Sequence, residues 1–184
     1  MFRFAAVAAV CTLVALGVAA PSNAVAPRAK TTPTCSAKHL QLGNGPMMSM
    51  MTGEEATLYT LTNTGSATCQ IKGFPTLKVY TAKGKLVPFK YVHSSSYLHR
   101  LTPKVVVLKP NAFGYLWVGK YRCDLGPKTI ATKMRLGIPG HGAGSIAAPV
   151  GQGGRISGWD YCKGGPKDNG NYIATSPLTA KPAL

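Results

Sequence analysis

Negative charge is nearly missing from this chain. Its 184 residues hold 5 Asp+Glu against 21 Lys+Arg, a formal charge of +16. A glycosidase needs two carboxylates across one bond, and this supply hardly allows it. Glu54 and Glu55 are adjacent, and a strand would send them to opposite faces. Asp124, Asp160 and Asp168 complete the set. No GxSxG elbow occurs, so Ser94-Ser95-Ser96 between His93 and His99, with Asp124, reads as a polar loop and not as a hydrolase triad. No CxxC pair occurs, which argues against zinc. Gly140-His141-Gly142-Ala143-Gly144 lacks a helix start behind it, so it is no phosphate loop. Phe89-Lys90-Tyr91 and Lys120-Tyr121-Arg122 interleave aromatic and basic residues, yet no nucleic-acid module surrounds them. Specific nucleic-acid binding is not expected, and no catalytic residue or cofactor is assigned.

The charged residues also leave one stretch empty. After Arg3, the run from Phe4 to Ala20 is uncharged and almost wholly apolar, and Ser22 and Ala24 supply small residues for signal peptidase. Residues 1–24 are therefore expected to be a signal peptide cleaved after Ala24, followed by a flexible lead over 25–33 and one domain over 34–184. Loss of Arg3 would lower the net charge by one unit. Cys11 lies too early in the apolar run, behind Val10, to be a lipoprotein cysteine. No LPxTG motif and no second apolar run follow, so the expected product is secreted.

Of the five cysteines, Cys35, Cys69, Cys123 and Cys162 lie beyond the leader. An even number in an exported chain argues for two disulfides. Three connectivities exist; the sequential pairing, Cys35–Cys69 and Cys123–Cys162, is expected. Each loop of roughly 35–40 residues would contribute up to about 4 kcal/mol in the chain-entropy account.

Helical periodicity is absent beyond the leader, and strand signals take its place. Ala56–Thr62, Cys69–Ile71, Thr76–Thr81, Leu86–Val92, Thr132–Ile138 and Ile173–Leu178 read as strands. Lys104–Leu108 and Ala112–Tyr121 read as a pair joined by the turn Lys109-Pro110-Asn111. Ser36–Leu42 reads as one helical turn or as a first strand, and Gly43-Asn44-Gly45-Pro46 as a loop. Leu116 and Val118 are expected to face the core if the sheet is covered on one side, with Tyr115 and Trp117 as the alternative set. Residues 139–158, with seven glycines, read as a long Gly-rich loop. The fold class is an all-β, antiparallel, immunoglobulin-like β-sandwich in a single domain.

Leu61-Thr62-Asn63-Thr64-Gly65, Thr68-Cys69, Gly73-Phe74-Pro75, Val107-Leu108-Lys109-Pro110, the strand bearing Trp117, and Cys35, Cys123 and Cys162 occur in that frame. This order resembles an uncharacterised family of exported bacterial proteins, a domain of unknown function common in secreted and lipid-anchored proteins of high-GC Gram-positives. Its signature is "LTNTG…TC…GYP", with Phe74 here where Tyr is commoner. The likeness runs from Thr34 to Leu178. It implies an immunoglobulin-type sandwich and an exported location, and carries no activity.

Two features remain. Met47, Met48, Met50 and Met51 are thioethers, a ligand type that suits Cu(I), and His39 lies upstream. The plainer reading is that these methionines fill an uneven gap. Trp159, Asp160 and Tyr161 suggest a sugar contact, or more plainly an aromatic anchor around Cys162. The basic residues, spread over Lys72, Lys78, Lys83, Lys85, Lys90, Lys104, Lys109, Lys120, Lys128, Lys133 and Arg135, would attract a polyanion. The expected function is a secreted, non-catalytic binding or structural domain. Its expected partner is an anionic cell-wall polymer or membrane surface; the alternatives are Cu(I) handling, and a hydrolase without a recognisable motif.

Overall fold

The computed structural model describes residues 31–49, 53–95, 98–140, 142–150 and 158–183. The expected signal peptide, Met50, Met51, Ser96 and His141 lie outside the described residues. In chain order the strands are β1 (Leu40–Ser49), β2 (Glu54–Asn63), β3 (Cys69–Ile71), β4 (Thr76–Tyr80), β5 (Leu86–Val87), β6 (Lys90–Val92), β7 (Val106–Leu108), β8 (Phe113–Tyr121), β9 (Pro127–Ala131), β10 (Lys133–Gly137), β11 (Ser145–Pro149), β12 (Trp159–Cys162) and β13 (Tyr172–Thr175). Helical structure among the described residues is limited to short 3-10 turns. A five-stranded sheet runs β1-β2-β8-β13-β6 and a four-stranded sheet runs β11-β10-β4-β5. Two small ribbons, β12-β9 and β3-β7, complete the structure. Among these strands all pairings are antiparallel except β13 with β6. The immunoglobulin-like sandwich and the sequential disulfides, Cys35–Cys69 and Cys123–Cys162, are both present.

Alternation sorts the long strands. β2 and β8 pair from Glu54 opposite Tyr121 to Thr62 opposite Phe113. Tyr59, Leu61, Leu116 and Val118 enter one apolar core with Leu77, Val79, Met134 and Leu136 of the four-stranded sheet. Each buried side chain of this size contributes about 1.5–3 kcal/mol. The intervening set, Ala56, Leu58 and Trp117, packs with Leu98 and Ala174 in a second cluster on the opposite face. Leu116 and Val118 therefore point inward as expected, but Trp117 is buried as well. The sheet is covered on both sides, because the segment carrying Leu98 lies over its outer face.

Several expectations are corrected. Gly43–Pro46 is not a loop: β1 runs through it, with a register shift between Asn44 and Met47. A bulge tolerates the missing N–H of Pro46. Gly45 passes so close that a Cβ there would lie 2.8 Å from the Leu58 carbonyl oxygen. Leu86–Val92 is two strands in two sheets, because Pro88 interrupts the ladder: β5 pairs with β4, and β6 with β13. β7 and β8 are not a hairpin: β7 pairs with β3, and β8 with β2 and β13. The Lys109–Asn111 turn is real, with Asn111 at φ 62°, but it carries the chain between sheets. The Gly-rich stretch 139–158 contains β11, which pairs with β10 along its whole length. β9 and β12 went unread in the sequence.

Candidate functional site

The signature residues build the scaffold. Asn63 is buried; its Nδ2 donates to the Ala67 carbonyl at 2.9 Å and the Leu108 carbonyl at 3.0 Å, and its Oδ1 accepts from Gly65 N at 3.0 Å. One amide thus shapes the turn after β2 and ties it to the end of β7. Phe74 stacks on His93, ring centroids 3.9 Å apart, and Pro75 is buried. Asn171, which no sequence pattern had flagged, plays the same part at the second disulfide. It is fully buried, donates to the carbonyls of Cys162 and Gly165, and accepts from Cys162 N.

The outer face of the four-stranded sheet is different. Leu77, Val79, Met134 and Leu136 alternate inward, so Lys78, Tyr80, Lys133 and Arg135 point outward. The register sets Arg135 directly opposite Lys78, and Lys133 opposite Tyr80. Both neighbours of Arg135 leave it uncovered, since Ala147 stands on its other side. Lys83 and Lys85 extend the positive charge along the β4–β5 turn, where Gly84 takes φ 82°. Lys133 Nζ donates to the Ala82 carbonyl at 2.9 Å, which fixes the turn against β10. Tyr80, Gly84, Lys133, Met134, Arg135 and Ala147 line a depression of about 340 Å³. No Asp or Glu occurs in these four strands or the turn between β4 and β5. The one ion pair among the described residues is Arg122 with Asp124 at 3.6 Å, elsewhere and exposed.

The carboxylates gather at the far end of β2. Glu55 stands opposite Lys120. Lys120 is buried, donates to the Tyr121 carbonyl, and lies 5.6 Å from the Phe89 ring centroid. Burial pulls its ammonium down to about 8, against the opposing pull of Asp160, Asp168 and Glu55. Burial likewise raises Glu55, and Lys120 partly offsets this.

The remaining candidates separate. His39 is exposed just before β1, whereas Met47 pairs with Thr57 near the other end of β2, about 20 Å along the strand. The backbone at Met47 and Met48 is therefore distant from His39, and Met50 and Met51 lie outside the described residues. No group of three or more His, Cys, Asp or Glu side chains among the described residues could hold a metal. His93 contacts Thr175 at 3.5 Å, and His99 is exposed. Asp124 pairs with Arg122, and Ser96 lies outside the described residues. Trp159 and Tyr161 are buried, Tyr161 edge-on to Phe89, which fits an anchor for Cys162.

The family described as a domain of unknown function, DUF4232, matches residues 35–178. The chain belongs to this family. Neither the curated proteins nor the solved structures offered a match. The DUF4232 match begins at Cys35 and ends at Leu178, so it includes both disulfides, the Asn63 turn and the basic face.

Proposed function

We propose that this DUF4232 chain is an exported, non-catalytic binding domain whose β11-β10-β4-β5 face holds an anionic polymer of the cell envelope. One observation carries the reading: Lys78 and Arg135 are set directly opposite each other, beside Lys133, with no carboxylate on that sheet. Like charges placed opposite on a sheet destabilise it by several tenths of a kcal/mol, and a bound polyanion would reverse the sign of that effect. The face is an open sheet surface with one depression of about 340 Å³, which suits a chain of charges laid along it more than a small substrate enclosed by it. Two disulfides fit an oxidising compartment, in keeping with export through the leader expected over residues 1–24.

Retention on purified wall fractions at low ionic strength tests the reading. Joint replacement of Lys78, Lys133 and Arg135 by Gln is expected to release the protein. The same loss of charge at exposed Lys104, Lys109 and Lys163 is expected to leave most of it bound. Equal release by the two triple variants would reduce the binding to net charge and overturn the assignment.

A further inference from the structure

Glu54 is the most costly side chain in the structure to leave alone. Its relative exposure is 0%, and neither carboxylate oxygen has a hydrogen-bond partner. It stands at the start of β2 on the outer face of the five-stranded sheet, opposite Tyr121. The backbone has made room for it: a Cβ on Gly119 would lie 2.6 Å from Glu54 Oε1. A carboxyl group buried with no hydrogen-bond partner costs free energy in the fold, and such groups call for an explanation.

The carboxylate lies in the wall of a cavity of about 290 Å³. Ser94, Tyr121, Asn169 and Tyr172 bring hydroxyl, amide and aromatic groups to the same cavity, while Val92 and Ala174 give it apolar walls. Its volume is at the small end of ligand sites. Tyr172 already serves as a cation partner, since Lys90 Nζ sits 4.9 Å from its ring centroid and donates to its hydroxyl at 3.2 Å. Glu55, Asp160 and Asp168 all act electrostatically on Lys120, so this end of the molecule collects four of the five acids.

We infer that the Glu54 cavity is a binding site for a small primary ammonium compound, whose N–H donors reach the Glu54 carboxylate when the side chains that close it off from the cavity give way, and whose carbon tail lies between the tyrosine rings and Val92. A carboxylate backed by aromatic faces is the pairing that recognises an organic ammonium group. This site is separate from the basic face, takes the opposite charge, and stands or falls independently of it.

Calorimetric titration of the full folded domain with methylammonium, butylammonium and benzylammonium tests it, with benzyl alcohol as the neutral comparison. At least one amine is expected to bind saturably with a Kd of about 1–10 mM. Glu54→Gln, which keeps the shape and removes the charge, is expected to weaken that amine at least ~10-fold. Near-ultraviolet circular dichroism checks that the variant folds. If it does not, Asn169→Trp narrows the cavity from an exposed position, leaves Glu54 in place, and is expected to weaken the amine by a similar factor. No saturation by any of the three amines up to about 50 mM, benzyl alcohol binding as well as benzylammonium, or affinity unchanged in Glu54→Gln or in Asn169→Trp would each overturn the proposal.

Discussion

The outer face of the four-stranded sheet and the far end of β2 treat charge in opposite ways. On the sheet face, Lys78, Lys133 and Arg135 are exposed, mutually repelling and unaccompanied by any carboxylate. At the end of β2, Glu54 and Lys120 are buried, and Glu55, Asp160 and Asp168 gather around Lys120. Exposed charge costs the fold little, since water and salt screen it. Buried charge costs much and has to be arranged. The difference teaches that a net charge of +16 does not describe this molecule. One sheet face presents cations with no acid beside them, and four of the five acids are held at one end.

The comparison can be broken most severely on the binding side. Replacing Lys78, Lys133 and Arg135 together by Gln is expected to cut affinity for long-chain polyphosphate at least ~10-fold at low salt, measured by fluorescence anisotropy. Unfolding free energy in urea should barely move.

Stability gives the next contrast. Asn171→Ala, at the acidic end, removes an amide bonded on three sides and is expected to cost about 2–4 kcal/mol. Lys78→Ala, on the basic face, is expected to stay within about 0.5 kcal/mol of the parent. Equal effects in urea titration would erase the distinction between a built end and a presented face.

Lys120 sharpens it through pH. Its ammonium is held near 8 in the folded protein, below the usual 10.5 of a free lysine. Below pH 8 it is protonated whether folded or not, and the protein bears the full cost of burying that charge. Between pH 8 and 10.5 the folded form gives up the proton first, so stability rises through this window. Lys120→Met lacks the effect, and exposed lysines titrate alike in both proteins. The stability of the parent relative to the variant is therefore expected to rise by about 1–3 kcal/mol from pH 8 to 10.5. A flat difference would mean that the ammonium is not buried in solution.

The smallest effect should come from Lys78→Glu. It sets a carboxylate opposite Arg135 and is expected to raise stability by about 0.2–1 kcal/mol while weakening polyanion binding, a gain in one property against a loss in the other.

Much of the scaffold was legible because its signals are local. Cys69–Ile71 and Thr76–Tyr80 announce themselves by alternation and by the breaks at Gly65 and Gly73-Phe74-Pro75. β9, β11 and β12 were not legible, because Pro127–Ala131 and Ser145–Pro149 carry few strand formers and owe their conformation to partners. β12 hides in a cysteine-flanking aromatic cluster that looks the same in a loop. Lys78 and Arg135 are both visible in the sequence, but nothing local says that strands more than fifty residues apart place them side by side. Glu54 and Glu55 were correctly expected on opposite faces. That the outer one would be buried depended on the segment carrying Leu98 folding over that face, which no pattern within β2 records. The Met47–Met51 run draws attention by composition alone, and the strand register sets the backbone of Met47 and Met48 far from His39.

The salt dependence of polyphosphate binding tests the central claim most directly. Plotted as log affinity against log salt, the parent should lie on a straight line. The Lys78, Lys133 and Arg135 to Gln variant should show a slope shallower by about 2, the number expected for three lost phosphate contacts on a single-stranded polyanion. Two parallel lines would contradict the account, since the polymer would then be resting somewhere other than on this sheet.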